Sequence, residues 1–303
     1  MNTALHRATG ETTGQTTGRA AAVGERSSLA AMLIGPATVF VILMMAVPLL
    51  ILLRYSLNAH ESGKGMTDAF TAANYVKFFS DPFYITVLMR TLRVAFVSTL
   101  LCLLMGFPLA YWLARMQSSW KNMLIILIVL PLFVGNAVRA AGWMAIFGNK
   151  GFVNSTLMGM GVTSEPLTIM YTELAVVIGI TAVNLPFMVL TLQTVIEGIS
   201  RQVEEAALNL GASPWHAFWR VIWPLALPGT AAGVILTFIL AMNAYATPVL
   251  LGGPRFQTMG PLVYGQFVQQ NNWPFGAAIS FILMASTILL TIIANRTTRT
   301  RNS

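Results

Sequence analysis

The sequence has very few charged residues for its length. Of its 303 residues, 9 % are Asp, Glu, Lys or Arg and 56 % are apolar, whereas soluble globular domains carry about 25 % charged residues. A chain with so little charge cannot cover a water-facing surface, and its mean hydropathy of +0.70 agrees with this. We therefore expect an integral membrane protein.

Cysteine and histidine are too scarce for redox or metal chemistry. The single cysteine, Cys102, cannot form an intramolecular disulfide, and the three histidines have no neighbouring thiols. His60-Glu61 begins like a zinc-protease motif, but Lys64 stands where the second histidine would be. All three histidines lie outside the long apolar runs, which argues against an intramembrane hydrolase. We predict no metal site and no catalytic residue.

A phosphate-binding loop is missing as well. The one Gly-Lys pair, Gly63-Lys64, is followed by Gly65, and it lacks the upstream glycine and the downstream Ser or Thr that such a loop needs. The chain is therefore predicted to hydrolyse no nucleotide and to be no enzyme.

Six apolar runs are long enough to cross a hydrocarbon core of about 30 Å. They cover residues 29–53, 94–113, 123–147, 174–196, 225–251 and 275–294. The Thr/Gly/Ala-rich segment 1–28 lacks an apolar face and is predicted to be a disordered tail, and the first run is too long for a signal peptide. We expect an all-α protein with six transmembrane helices over 29–295 and a short tail over 296–303.

The basic residues are unevenly distributed between alternate connections. Ten Lys and Arg fall in the two tails and in the second and fourth connections, against five in the other set. The difference shrinks if Arg90 and Arg93 are counted with the second set. By the positive-inside rule, both termini are predicted to be cytoplasmic. The net charge of +8 then orients the helices, and we expect no nucleic-acid partner.

The polar segment 198–224, between the fourth and fifth runs, has the pattern of a helix-turn-helix on the cytoplasmic face. Ser200 can cap a helix with Glu204 and Glu205 near its start, where the helix dipole favours acids, and Gly211 can end it in a left-handed residue. A Ser-Pro pair then starts a second, aromatic helix.

The spacing of this segment resembles the permease subunits of binding-protein-dependent ABC importers. Their loop carries E-A-A, three residues, G, nine residues and I-x-L-P. The matching residues are Glu205, Ala206, Ala207, Gly211 and, nine residues later, Val221, Ile222, Trp223 and Pro224. Val and Trp replace the usual Ile and Leu, which puts only local packing in question.

The resemblance implies the ABC importer permease fold, in the bacterial inner membrane, with a cytoplasmic coupling loop over 198–224. In this family the first loop helix docks in a groove on a separate ATPase. The coupling candidates are Glu204, Glu205, Ala206, Ala207, Gly211 and Pro224. The implied partners are two ABC ATPase subunits, which bind ATP and Mg, a second homologous permease, forming a heterodimer, and an external solute-binding protein. The chain itself would hold no cofactor.

Short strings at 106–111, 244–248 and 250–254 are similar to the spermidine/putrescine permease branch. This similarity implies a polyamine substrate, although the branch also serves other small solutes. Because the strings are rich in Gly and Pro, loop geometry is an alternative explanation for them.

Polar residues within the apolar runs are candidates for the solute path, since such groups usually face a cavity or another helix. The candidates are Asn136, Arg139, Trp143, Glu173, Asn184, Asn243 and Tyr245. Ordinary interhelical hydrogen bonding is the alternative, except for Arg139, which we expect to need an ion partner or water. Arg139 would also repel a polycation, and Glu173 is the only acid in this set.

An ion-coupled secondary transporter is the rival function. It would need carboxylates near the midplane and often an inverted repeat, and we find neither in the sequence.

Overall fold

The computed structural model describes residues 35–61, 63 and 65–299. The predicted tail 1–28 lies outside them. The chain divides into two compact units at residue 55, and the first unit contributes the apolar helix α1, Gly35–Ser56. The remaining elements belong to the second unit.

The second unit begins with a short hairpin that the all-α expectation did not include. Strands β1 (Ala59–Glu61) and β2 (Gly65–Thr67) pair antiparallel. Gly63 and Gly65 have φ of 90° and 80°, which glycine adopts without steric cost. Helix α2, Ala73–Ser80, follows.

Three long helices form the centre of this unit. They are α3 (Pro82–Arg115), α7 (Glu173–Glu197) and α10 (Trp223–Met242). Helices α3 and α7 approach closely at Gly106, where an added Cβ would lie 3.0 Å from Met188 Cγ. Glycine at such a contact lets two helix backbones pack tightly inside a membrane.

The third predicted run is a broken helix rather than one continuous span. Helix α4 (Trp120–Val129) passes into a 3-10 turn (Leu130–Phe133), and α5 (Asn136–Phe147) starts in a new direction. The axis bends by 98° at this break. Pro131 lacks the N–H that would continue the helix, and Gly135 is extended. Helix α6, Phe152–Gly159, follows α5.

The fifth predicted run starts earlier and ends earlier than its apolar composition indicates. Helix α9 (Pro214–Ala217), a π-helical turn (Phe218–Ile222) and α10 are one continuous helix. The second helix of the polar loop is therefore the beginning of this span. It ends at Met242, and α11 (Ala246–Gly252) is separate.

The chain ends in two further helices, α12 (Met259–Tyr264), which continues into a π-helical turn (Gly265–Gln269), and α13 (Trp273–Arg299). Since α13 continues through Arg299, the predicted tail boundary at 296 falls inside a helix. Within the described residues, five helices are long and apolar enough to cross a membrane, or six if the broken pair counts as one. The expected architecture of apolar helices is confirmed.

Candidate functional site

The first helix of the polar loop forms as the sequence predicts. Helix α8 spans Arg201–Asn209, and the Ser200 hydroxyl accepts a hydrogen bond from the Gln202 N–H at 3.3 Å. Gly211 ends it with φ of 87°, and its N–H donates to the Leu208 carbonyl at 3.0 Å. A left-handed glycine here satisfies carbonyls that the helix end would leave unpaired.

The two acids of α8 face different surroundings. The Glu204 carboxylate lies 3.0 Å from Arg115 Nε at the end of α3, and it also accepts a hydrogen bond from the Tyr111 hydroxyl. The Glu204 and Arg115 side chains are only 20 % and 15 % exposed. Glu204, a predicted coupling residue, therefore has its charge paired within the chain. Glu205 is exposed.

Arg115 ties several segments together at this end of the bundle. Its Nη1 donates to the Ile199 carbonyl at 3.1 Å, and its own carbonyl accepts from Arg201 Nη2 at 2.7 Å. A second ion pair, Lys121 with Glu197 at 2.6 Å, lies at the start of α4 and the end of α7. The base of α8 is thus fixed to α3 and α7.

An exposed surface remains on the loop for a partner. Glu205 and Ala206 are exposed, Ala207 is half-buried, and Pro224 is exposed at the start of α10. Leu210, beside the glycine, is 89 % exposed. Small residues flanked by exposed apolar and acidic side chains suit a helix-in-groove contact.

Three of the predicted path residues meet at one cavity. Asn136 from α5, Asn184 from α7 and Tyr245 from the break after α10 line a space of about 320 Å³. Asn184 is buried, and its side-chain nitrogen has no hydrogen-bond partner among the described residues. An unpaired buried amide is unusual, and it leaves a hydrogen-bond donor at this cavity.

Arg139 donates to backbone carbonyls, and within the described residues it has no ion pair of the kind that we expected. Its Nη2 donates to the carbonyl oxygens of Val134 at 2.7 Å and Pro131 at 3.2 Å. The Pro131 carbonyl also accepts from the Val134 N–H, and both carbonyls lie at the break, so the guanidinium caps the broken end. Trp143, one turn further on, stacks on Phe147 with ring centroids 4.9 Å apart.

Glu173 lies apart from this cavity. It starts α7 and forms an ion pair with Arg93 of α3, in which the arginine side chain is 62 % exposed. Its place in the first turn also suits the helix dipole. Arg93 was not predicted as its partner, since the two residues are 80 positions apart.

Asn243 contributes to a second, mostly apolar cavity. Its Nδ2 donates to the Ile239 carbonyl at 2.8 Å, and it lines a space of about 690 Å³ together with Tyr245 and Tyr264. Tyr264 was not among the predicted residues, and no local motif distinguishes it.

The comparisons with known proteins agree with this geometry. The family described as binding-protein-dependent transport system inner membrane component matches residues 102–301. The chain belongs to this family. The resemblance inferred from the loop spacing is thereby confirmed.

Relatives match over most of the chain. The spermidine/putrescine transport system permease protein PotB of Haemophilus influenzae is 34 % identical over 260 residues, covering 85 % of this chain and 91 % of the relative. The protein of the same name in Escherichia coli K12 is 34 % identical over 263 residues, covering 87 % and 95 %.

A solved structure confirms the fold. A chain of a bacterial ABC transporter that imports the acidic polysaccharide alginate superposes with a TM-score of 0.72 at 17 % identity, covering 93 % of this chain and 98 % of the other. The protein is thus a multi-pass inner-membrane permease subunit of an ABC importer, and the secondary-transporter alternative is not favoured.

Proposed function

We propose that the chain forms, together with a second homologous permease, the membrane path of a polyamine importer for solutes such as spermidine or putrescine. The supporting observation is the 34 % identity to PotB permeases over 85 % and more of this chain. An external binding protein delivers the solute. Two ABC ATPase subunits bind ATP and Mg, and they hydrolyse the nucleotide.

The α8 surface is the proposed contact with one ATPase. Glu205 and Ala206 face outward, and Ala207 allows close approach. Because Glu204 and Arg115 join α8 to the end of α3, movement of the ATPase would displace α3 as well. Such movement can switch the permease between inward- and outward-facing states.

The same assignment orients the chain. If α8 meets a cytoplasmic ATPase, the connections richer in Lys and Arg lie on the cytoplasmic side, in agreement with the positive-inside rule. Both termini are then cytoplasmic.

The structure reduces the conflict between Arg139 and a cationic solute. The arginine donates to two carbonyl oxygens, whose partial negative charges offset part of its field. The Asn184 cavity is lined by neutral polar and apolar groups, so selectivity for polyamines would come from the binding protein, the second permease or aromatic contacts.

Purification of the tagged chain tests the proposal. We expect an ATPase and a second permease to co-purify, and the complex in proteoliposomes to accumulate labelled spermidine only with ATP and the binding protein. Uptake by the chain alone under an ion gradient would overturn the proposal in favour of a secondary carrier.

A further inference from the structure

Three tyrosines from separate elements converge on one cavity. Tyr171 precedes α7, Tyr245 lies between α10 and α11, and Tyr264 ends α12, and all three line a space of about 510 Å³. The rings of Tyr245 and Tyr264 have centroids 4.7 Å apart. Since these residues are remote in sequence, their meeting is not a by-product of one helical stripe.

Tyr171 is held in a strained conformation. Its φ is 64°, a region that bulky residues rarely occupy. Its N–H donates to the Leu251 carbonyl at 2.9 Å, and a Cβ added to Gly253 would lie 2.6 Å from its ring. The ring is nevertheless 61 % exposed, so core burial does not account for the strain. Strain of this kind is concentrated at functional sites.

The cavity also offers neutral hydrogen-bond acceptors. Gln257 and Gln269 belong to its lining, which includes neither Asp nor Glu. The side-chain oxygen of Gln257 is buried and has no partner within the described part of the chain. An ammonium group, which has three donors and no acceptor, would satisfy such an oxygen.

A cationic side chain of the protein, Arg90, already lies over one aromatic ring of this cavity, that of Phe256. The Arg90 guanidinium lies 5.0 Å from the centroid of Phe256, and its Nη1 donates to the Gln257 carbonyl at 3.3 Å. Its charge opposes tight binding of a second cation. A transport path requires weak binding, because the solute must also dissociate from each site along it.

The cavity lies far from the α8 surface. Tyr171 precedes the first residue of α7 and α8 follows the last, and a helix of 25 residues is about 37 Å long. The tyrosines are therefore at the end of the bundle that receives solute in an importer.

We propose that Tyr171, Tyr245 and Tyr264 form an entry site for the ammonium groups of the solute, with Gln257 accepting a hydrogen bond. The rings supply cation–π attraction in a cavity whose described lining contains no carboxylate. This site rests on the proposed polyamine function. It differs from the Asn184 cavity, since Tyr245 is the one described residue that lines both.

Uptake of labelled spermidine by the reconstituted complex, with the binding protein saturating, tests the site. We expect Tyr264→Leu to lower the uptake rate about fivefold, the effect of losing one solvent-accessible cation–π contact. Tyr264→Phe keeps the ring and should remain within about twofold of wild type. Tyr84→Leu is the matched control, since that ring packs on Phe275 in the core, and it should not lower the uptake of correctly assembled complex.

Tyr171→Gly separates function from folding. Glycine accepts the positive φ without strain, so we expect the melting temperature of the complex to be unchanged or higher while uptake falls. A melting temperature and an uptake rate that both stay at the wild-type level would overturn the role of Tyr171.

If Tyr264→Leu fails to assemble, a labelling experiment tests the tyrosine site instead. Tyr264→Cys in a Cys102→Ser background is treated with a cationic methanethiosulfonate, and we expect millimolar spermidine to slow the labelling. Labelling at the same rate with and without spermidine would overturn the site.

Failure of the polyamine function and failure of the tyrosine site give different results. No spermidine uptake by the wild-type complex would overturn the polyamine function and the cationic occupant together. Normal wild-type uptake with equal uptake by Tyr264→Leu would overturn the tyrosine site alone.

Discussion

Arg115 Nε lies 3.0 Å from the carboxylate of Glu204, and this ion pair joins the end of α3 to α8. The Tyr111 hydroxyl hydrogen-bonds the same carboxylate. A charge pair with low exposure and additional hydrogen bonds has a defined geometry, so we expect a displacement of α8 to move α3 as well. Helix α3 has 34 residues and a length of about 50 Å, enough to extend such a displacement across a membrane.

Replacing Glu204 should weaken this connection. We expect Glu204→Gln to leave Arg115 without its counter-charge and to lower the free energy of unfolding by about 2 kcal/mol, between the values for a surface pair and a buried pair. Uptake per ATP hydrolysed should fall. Thermal unfolding of the purified complex and parallel uptake and ATPase assays would measure both effects.

The Lys121–Glu197 pair provides a matched control for this experiment. Its side chains are 25 % and 39 % exposed, so Lys121→Gln should cost about 1 kcal/mol or less and should keep coupling normal. The reversed pair Arg115→Glu/Glu204→Arg should recover part of the loss. Equal losses in Glu204→Gln and Lys121→Gln would contradict a special role for the Glu204 pair.

The exposed acid of α8 should matter for a different reason. We expect Glu205→Lys to insert and fold normally, because its side chain is exposed, but to abolish the stimulation of ATPase activity by loaded binding protein. The measurement is that stimulation in the reconstituted complex. Wild-type stimulation would count against contact between Glu205 and the ATPase.

Gly211 should tolerate substitution poorly for conformational reasons. With φ at 87°, Gly211→Ala is expected to lower the free energy of unfolding by about 1 kcal/mol. The Cβ itself would meet open space, so the penalty is purely conformational. Gly211→Asp adds a charge beside α8 and should also uncouple transport from hydrolysis, which the same ATPase assay would detect.

The Glu173–Arg93 pair predicts a rescue experiment. Glu173→Gln leaves the exposed Arg93 cation without its partner, and we expect polyamine uptake to fall about two- to threefold with assembly intact, since a surface pair contributes about 0.5 kcal/mol. The double variant Glu173→Gln/Arg93→Gln should restore uptake if the released charge is responsible. Uptake that stays low in the double variant would instead assign Glu173 a direct contact with the solute.

Asn184 should show opposite changes in stability and transport. Asn184→Leu removes a buried amide nitrogen that has no partner within the described residues, so the free energy of unfolding should stay level or rise by about 1 kcal/mol. Uptake should fall because the cavity loses a polar group. A parallel fall in stability and uptake would show that Asn184 is a packing residue.

Close packing of α7 and α10 predicts sensitivity at Gly229. An added Cβ there would lie 2.2 Å from Val195 Cγ2, and a β-branched side chain has little freedom to move. We expect Gly229→Ala to cost about 1–3 kcal/mol, which Val195→Ala should partly relieve. Gly142→Ala, where a Cβ meets open space, should change the melting temperature far less.

The sequence alone determined those properties that depend on composition and short spacing. The scarcity of charge established a membrane protein. The apolar runs located the spans, except for the break in the third and the bounds of the fifth. The Glu205–Gly211–Pro224 spacing identified the family, and the capping residues Ser200 and Gly211 lie where the helix begins and ends. These features are local, because one helix segment and its solvent are enough to produce them.

Only the tertiary structure decided which polar groups are paired. Glu204 meets Arg115 across 89 positions and Glu173 meets Arg93 across 80. Arg139 donates to two carbonyls at the break between α4 and α5. Tyr171, Tyr245 and Tyr264 line the same cavity although they belong to three separate segments of the chain. Such meetings depend on how helices pack and where they bend, and no periodicity within a single segment encodes them.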